Sequence, residues 1–400
     1  MTDDAPPAET AERSARVLDP SLALYVHLPW CVRKCPYCDF NSHQLKSAAP
    51  DASYIDALIR DFDMELPRLA GRRIDTVFFG GGTPSLFQPE DFSRLLLALR
   101  RRIAFADDVE VTLEANPGTI ERGRFAGYRD AGVNRVSLGA QTFAEPALKA
   151  LGRIHSADDT HRAVEELRAA KLGNFNLDLM YALPQQTAEQ ALEDVRTACA
   201  LEPAHISYYQ LTLEPGTVFH ARPPQLPDED AAWQIQNAGQ KLLADAGYVQ
   251  YEVSAYAREG ARCRHNLNYW LFGDYLGIGA GAHGKLTLAL AERILRTAKP
   301  KQPRDYQEQL SRAAVGTQIG ESSFIPPADL PFEFMLNALR LNEGFTDDGY
   351  RLRTGLEMDS VQVKLQAAER RGLLERQVDG WRPTELGRRF LNDLQGAFLA

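Results

Sequence analysis

Short apolar segments alternate with longer amphipathic segments through the first half of the chain. The alternation of strand and helix is repeated about six times. This pattern predicts parallel strands that are joined by crossover helices. Six units are too few for a closed barrel of eight, so the pattern predicts an open, partial (β/α)6 barrel of the α/β class. The predicted strands are 22–28, 76–79, 109–113, 135–138, 174–180 and 205–211.

The segments between these strands have the apolar period of helices. In the segment 89–101, Phe92, Leu95, Leu96 and Leu99 stand at i, i+3, i+4 and i+7 and form one apolar face. In folds built from such units, the loops at the carboxyl ends of the strands carry the chemistry. The predicted helices are 54–69, 89–101, 157–170 and 188–200.

Composition divides the chain into four predicted regions. Residues 1–20 are acidic, lack an apolar stretch and are expected to be a disordered tail. Residues 21–215 form the partial barrel, and 216–328 open with a proline-dense linker. Residues 329–400 combine helices with a turn at Asp379-Gly380, which predicts a C-terminal α+β, winged-helix-like domain. This last region holds ten Lys and Arg against twelve Asp and Glu, which favours packing over DNA binding.

Charge and cysteine usage exclude several classes of protein. With 45 basic and 54 acidic residues the formal net charge is −9, which argues against a nucleic-acid binder. No apolar run approaches the ~18 residues that a membrane span needs, so no transmembrane segment is predicted. The first twenty residues do not form a secretory signal, and five cysteines do not make a disulfide framework. The sequence therefore predicts a cytoplasmic protein.

Three of the five cysteines lie within eight residues, directly after the first predicted strand. Cys31, Cys35 and Cys38 are spaced by four and three residues. Three thiolates in one loop can bind three irons of a [4Fe–4S] cluster and leave the fourth iron open to a small molecule. A zinc site and three unrelated buried thiols are the alternatives; for zinc, His27 and His43 are the nearby additional ligands.

Polar or glycine residues stand at the ends of the following strands. The run Gly80-Gly81-Gly82 after the second strand allows a close backbone approach to a ligand, although it also fits a plain turn. Glu114 ends the third strand, where a carboxylate can bind ribose hydroxyls or an ammonium, or remain a solvated acid. Asp178 interrupts an apolar strand, which predicts a polar cavity or an ion pair.

The C-x3-C-x2-C motif after a first strand resembles that of the radical S-adenosylmethionine (SAM) superfamily. Within it, the chain resembles the coproporphyrinogen dehydrogenase (HemN) family, from about residue 22 to 213 and more loosely in the C-terminal unit. The resemblance implies a [4Fe–4S] cluster on the three cysteines, whose open iron binds SAM. It implies contacts with this SAM for Tyr25, Gly81 and Glu114. For a second SAM site, it implies contacts from Tyr37, Gly82, Thr83, Gln141, Arg153 and Asp178.

Two features differ from the dehydrogenases, which carry a further cysteine at the position of Phe40 and a longer N-terminal extension. The element H-N-L-N-Y-W at 265–270 instead matches the H-N-x-x-Y-W motif of the heme-chaperone subgroup, as does G-A-G-A-H-G at 279–284. The resemblance implies heme binding, with His265 as candidate axial ligand and Tyr269 or Trp270 packed on the macrocycle. A hydrogen-bonded core position for His265, and Cys263 as ligand, are the alternatives.

The resemblance thus implies a heme chaperone that passes heme to acceptor proteins, with acceptors at the inner membrane as one option. An oxygen-independent coproporphyrinogen III oxidase and a methyltransferase-type radical SAM enzyme stay open as alternatives. No residue is assigned a catalytic role. The expected cofactors and ligands are a [4Fe–4S] cluster, SAM and heme; the oligomeric state stays open, with a homodimer among the options.

Overall fold

The computed structural model describes residues 20–46, 52–69, 71–118, 123–288 and 293–399, so the predicted tail lies outside the described residues apart from Pro20. Six parallel strands follow one another in the sheet in their chain order. The predicted α/β fold class is confirmed, and the sheet is open, as expected. The strands are β1 (Leu22–Leu28), β2 (Arg73–Gly81), β3 (Ala104–Ala115), β4 (Arg135–Gln141), β5 (Phe175–Tyr181) and β6 (His205–Gln210).

Helices cross over between these strands and cover the sheet. They bury the apolar faces that their periodicity predicted; in the second helix the buried residues are Phe92, Leu95, Leu96 and Leu99. The crossover helices are α1 (Ser53–Glu65), α2 (Pro89–Arg100), α3 (Phe125–Asp130), α4 (Glu145–Ala150), α5 (Ala157–Ala169) and α6 (Ala188–Ala200).

Local sequence sets where these helices begin and end. The side chain of Ser156 caps α5 and that of Thr187 caps α6, and both helices carry a capping box. Helix α1 is shorter than the predicted 54–69, because the chain continues as a 3₁₀ turn over Leu66–Arg68. Pro67 lacks the N–H that an α-helix would need at this point.

Residues 216–328, predicted as a linker and a separate region, extend the same sheet at both edges. The full order is β12-β11-β10-β9-β1-β2-β3-β4-β5-β6-β8-β7, in which β9 runs parallel to β1. These strands have two to six residues, too few for a clear alternation of apolar and polar side chains. They are β7 (Val249–Gln250), β8 (Ala255–Ala257), β9 (Asp274–Ile278), β10 (His283–Leu288), β11 (Arg293–Ala298) and β12 (Glu321–Phe324); the helices of this region are α7 (Val218–Ala221), α8 (Glu229–Asp245), α9 (Arg264–Trp270) and α10 (Pro303–Arg312).

The C-terminal unit has its own apolar core. Phe334, Tyr350, Leu365 and Trp381 are buried there, and Phe272 joins them from the segment between α9 and β9. Helices surround a small antiparallel sheet, as the α+β prediction requires. The elements are α11 (Leu330–Ala338), β13 (Phe345–Thr346), α12 (Asp347–Thr354), α13 (Asp359–Arg370), β14 (Leu374–Arg376), β15 (Gly380–Pro383), α14 (Glu385–Arg389) and α15 (Leu391–Gly396).

Among the helices of the described residues, none is both long and apolar enough to span a bilayer.

Candidate functional site

The loop that follows β1 carries the three clustered cysteines. Trp30–Cys31 pairs with His43–Gln44, so the two ends of the loop lie side by side. Between them, the amide of Cys38 donates a hydrogen bond to the carbonyl oxygen of Cys35 at 3.2 Å. Both of these cysteines and Cys31 line one cavity of about 340 Å³, to which the carboxyl ends of the parallel strands contribute. We refer to this space as the thiol cavity.

The donor set of the thiol cavity fits an iron–sulfur cluster. All three thiols are free and half-buried. Burial raises the pKa of Cys31 and Cys38, and neighbouring thiols raise it further, so cluster binding would release protons. Arg153 Nη1 lies 3.8 Å from the Sγ of Cys35. In the part of the chain that the structure describes, no three His, Cys, Asp or Glu side chains are placed to hold a single metal ion.

The glycine run fits the cluster loop against the end of β2. The amide of Gly82 donates to the carbonyl oxygen of Leu28 at 2.9 Å, and that of Thr83 to Trp30 at 2.7 Å. A Cβ at Gly82 would lie 2.4 Å from the Trp30 carbonyl oxygen. Gly81 has a φ of +117°, and a Cβ there would lie 2.5 Å from the His27 ring. Glycine is therefore required at both positions, because a side chain would clash with Trp30 or His27. This close packing places the glycine run in the wall of the thiol cavity.

Two carboxyl groups face each other across the thiol cavity. Glu114 accepts a hydrogen bond from the amide of Gly81 at 3.1 Å. Burial raises the pKa of Glu114 to about 8, and the charge of Asp178 adds to the rise. Asp178 accepts from Ser137 Oγ at 3.1 Å and from Asn176 Nδ2 at 2.8 Å. A hydroxyl or ammonium ligand would stabilise the ionised form of these buried carboxyl groups, so the pair fits a ribose or an amino group.

Arg153 reaches the same cavity from the segment between α4 and α5. Its Nη2 donates to the carbonyl oxygen of Gly139 at 2.8 Å and to the side chain of Asn116. Asn116 in turn donates through Nδ2 to Thr83 Oγ1 at 3.0 Å. The guanidinium is thus fixed between the cluster loop and the ends of β3 and β4. Asn116 was not among the predicted site residues, although its place directly after a strand is the signal that could have identified it.

Gln141 ends β4 in the left-handed region, with a φ of +68° that non-glycine residues seldom adopt. Its Oε1 accepts a hydrogen bond from the hydroxyl of Tyr209 at 2.8 Å. The structure also places Tyr209 on the cavity wall. The predicted residues that line the thiol cavity are Cys31, Cys35, Tyr37, Cys38, Gly81, Gly82, Thr83, Glu114, Gln141, Arg153 and Asp178.

A second cavity of about 670 Å³ adjoins the first, and Gly81 and Glu114 line both. Tyr25, Tyr269 and Tyr275 line this second space, which we refer to as the tyrosine cavity. Tyr25 does not line the thiol cavity, but it shares the tyrosine cavity with Gly81 and Glu114, the two other predicted contacts of the cluster-bound SAM.

The structure brings His265 to neither cavity. It lies in α9 and is 1% exposed. Its Nδ1 is 2.9 Å from Thr76 Oγ1 and its Nε2 is 2.9 Å from the Tyr269 hydroxyl, so both ring nitrogens have partners. Burial lowers its pKa to about 3, so the ring is neutral. Cys263 is also buried, and its Sγ lies 3.7 Å from Glu110. Both side chains are thus buried and engaged with protein groups in this arrangement.

Two family models match parts of the chain, and curated proteins match nearly all of it. The model of the Radical SAM superfamily matches residues 25–198, and that of the HemN C-terminal domain matches residues 325–390. The chain is 48% identical over 384 residues to "Heme chaperone HemW" of Haemophilus influenzae, covering 95% of this chain and 98% of that protein. It is also 48% identical over 381 residues to "Heme chaperone HemW" of Escherichia coli, covering 95% and 99%.

Among solved structures, the chain is similar to "Coproporphyrinogen III oxidase (HemN) from Escherichia coli is a Radical SAM enzyme." The TM-score is 0.81 and the sequence identity 22%, with 99% of this chain and 94% of that chain covered. At this identity the likeness shows the fold alone. It spans the barrel, the strands of 216–328 and the C-terminal unit.

Proposed function

Because the chain belongs to the HemW family within the radical SAM superfamily, we propose that it is a heme chaperone, which binds heme and transfers it to acceptor proteins. The observation that carries the proposal is the identity, over nearly the whole of both chains, to proteins that bear this name. The proposal assigns no catalysed reaction to the chain.

Membership of the radical SAM superfamily implies a [4Fe–4S] cluster and SAM. We infer that Cys31, Cys35 and Cys38 hold the cluster, since their free thiols share one cavity. A reduced [4Fe–4S] cluster held by these residues would supply an electron for the chemistry of SAM. This chain's residues would bind the cofactor, and the Glu114–Asp178 pair would accept hydrogen bonds from its amino or ribose groups.

A second SAM remains a prediction. Arg153, Gln141 and Thr83 line the thiol cavity together with Tyr37 and Gly82, which supports a ligand there. At about 340 Å³ the space is at the small end of ligand pockets, which span about 300–1,000 Å³. A cluster with one SAM would occupy much of it.

Phe40 favours the chaperone over the oxidase. The oxidase family carries a cysteine at this position, whereas this chain presents a phenylalanine that is 60% exposed and lines both cavities. An exposed aromatic ring at a cavity mouth suits an apolar ligand.

We further propose that the protein acts in the cytoplasm and delivers heme to acceptors at the inner membrane. Free thiols that must stay reduced are typical of a reducing compartment.

The test uses the full chain with its cluster reconstituted under anaerobic conditions. Heme is titrated into one sample, and coproporphyrinogen III with SAM and a reductant is added to another. We expect a Soret band that survives gel filtration, transfer of that heme to an apo-heme protein, and no protoporphyrinogen. Failure to retain heme contradicts the chaperone, and formation of protoporphyrinogen restores the oxidase.

A further inference from the structure

The tyrosine cavity is the larger of the two spaces, and none of the roles derived above uses most of its walls. It opens between the cluster loop, α9 and the turn that joins β9 to β10. Its volume of about 670 Å³ is well inside the range of pockets that hold organic cofactors. Its lining includes three tyrosines, three histidines and two lysines: Tyr25, Tyr269, Tyr275, His27, His43, His283, Lys34 and Lys301.

Two tyrosines form a fixed aromatic wall. The rings of Tyr269 and Tyr275 meet edge to face, with centroids 4.6 Å apart and planes at 86°. The hydroxyl of Tyr269 is 2.9 Å from His265 Nε2, and that of Tyr275 accepts from Arg296 Nη1 at 3.2 Å. His265 therefore contributes to this cavity indirectly, because it orients the ring of Tyr269. This is a physical role for the 265–270 motif that needs no contact between His265 and a ligand.

A histidine with a free imidazole lines the same cavity, on the strand next to that of Tyr275. His283 is the first residue of β10, lines the cavity and is exposed. No side chain or backbone group of the described residues bonds its ring. The other histidines of the cavity are engaged: His27 Nδ1 lies 3.0 Å from the Tyr25 hydroxyl, and its Nε2 lies 2.8 Å from the Asn41 carbonyl oxygen. The Nε2 of His43 lies 3.3 Å from the carbonyl oxygen of Lys301.

Buried groups fix the turn that carries His283. The amide of Gly279 donates to Asp61 Oδ2 at 3.0 Å, and that of Ala280 to the Tyr54 hydroxyl at 2.7 Å. Asp61 is held in turn by Lys299 Nζ at 2.6 Å. Because this network is buried, it anchors the turn on α1 and presents His283 in one place.

The same turn is joined to the cluster loop. Asn41 Nδ2 donates to the carbonyl oxygen of Ala280 at 2.9 Å and to that of Lys301 at 3.0 Å. The ammonium of Lys301, for which the described residues provide no partner, lies on the rim of the cavity near His283. A carboxylate group of a ligand would find its counter-charge there.

We propose that heme occupies the tyrosine cavity, with His283 as its axial ligand, Tyr269 and Tyr275 against the macrocycle, and Lys301 facing a propionate. A neutral imidazole without a hydrogen bond can ligate iron, and aromatic edges pack on a flat conjugated ring. The inference rests on the proposed heme-binding function and assigns its site. In this arrangement His265 is a positioning residue.

The test compares the heme difference spectra of single variants in the cluster-reconstituted full chain, with the heme-free protein as reference. His283→Ala should shift the Soret band and weaken heme binding at least tenfold, and added imidazole should restore the band. His265→Ala should weaken binding by a smaller factor and leave the band in place. His161→Ala, an exposed histidine on α5, is the matched control and should resemble the wild type.

The outcomes distinguish a failure of the proposed heme site from a failure of the proposed heme-chaperone function. If the wild type retains no heme, the chaperone proposal fails. If the wild type binds heme and His283→Ala has the wild-type band and affinity, the site is wrong while the function stands. A shifted band in His265→Ala with an unshifted band in His283→Ala would overturn the proposal in favour of the sequence prediction.

Lys301→Gln should raise the heme Kd several-fold in low salt and less in high salt; an unchanged Kd removes the propionate contact.

Discussion

The cluster loop and helix α9 both carry a short motif, yet the two motifs face the site in different ways. In the loop, all three thiols line one cavity. In α9, His265 is buried and both of its ring nitrogens have hydrogen-bond partners. Its neighbour Tyr269 lines the tyrosine cavity, whereas His265 does not. His265, the residue that the motif singles out as a candidate heme ligand, is thus not the residue that lines the tyrosine cavity.

The difference follows from how each motif acts. Cysteines spaced by three and four residues in one loop can serve a cluster together, because the chain itself keeps them close. A histidine on a helix has no such constraint, and the packing of the helix decides which way it points. A loop motif therefore predicts its site, whereas a helix motif predicts a site only once its neighbours are known.

The largest expected effect is on the cluster. Cys31→Ser, Cys35→Ser or Cys38→Ser should each remove most of the iron–sulfur absorbance, since each thiolate binds one iron. Cys199→Ser and Cys263→Ser should keep it, because neither side chain lines the thiol cavity. The measurement is the absorbance and iron content after anaerobic reconstitution. A full [4Fe–4S] spectrum in any of the three loop variants would contradict the assignment.

The second effect concerns the fit of the loop on β2. Gly82→Ala should lower the free energy of unfolding by about 1–3 kcal/mol, because its Cβ would meet backbone atoms of Trp30 at 2.4 Å. Gly173→Ala has nothing within 4 Å of its Cβ and is the matched control. Urea unfolding of the three proteins measures the difference. Equal midpoints for Gly82→Ala and the wild type would show that the loop moves freely.

The third effect concerns His265 and acid. Its folded pKa of about 3 is below the unfolded value of about 6.5, so its contribution to stability is present above pH 6.5 and is lost as the pH falls toward 3. His265→Phe should be less stable at pH 7.5, since Thr76 and Tyr269 lose their partner. The difference in the free energy of unfolding between the wild type and this variant should be about 2 kcal/mol smaller at pH 5 than at pH 7.5. A gap that is independent of pH, measured by urea unfolding, would mean that the buried ring is already charged.

The smallest effect is a stabilisation, because the pKa of Glu114 is raised where that of His265 is lowered. The folded pKa of Glu114, about 8, is above its unfolded value near 4.5, so its contribution is complete below pH 4.5 and is lost as the pH rises to 8. Glu114→Gln should therefore stabilise the SAM-free protein by roughly 1 kcal/mol at pH 8, because it removes a buried carboxylate that also faces the charge of Asp178, while solvent in the open cavity screens part of this cost. Thermal unfolding at pH 5 and pH 8 measures it. SAM binding should weaken in the same variant; undiminished binding would remove Glu114 from the SAM site.

Much of the barrel could be predicted because its units are repetitive. β1 and α6 have the predicted bounds, and α2 and α5 end one residue earlier than predicted. The strands β7 to β12 were not predicted as part of the sheet. They are short, and their partners are distant in sequence: β9, for instance, pairs with β1 across about 250 residues. No local pattern specifies such a pairing.

The sequence alone determined the parallel α/β architecture, the cluster loop and the residues at the strand ends, because each depends on periodicity or on spacing within a short segment. Only the tertiary structure decided the neighbourhoods: which face of α9 is buried, that Glu114 and Asp178 line one cavity, and that His283 lines another with Tyr269 and Tyr275. Hydrogen bonds and burial between distant segments set these relations, and each forms only when the sheet has brought β1, β3, β5 and β9 together.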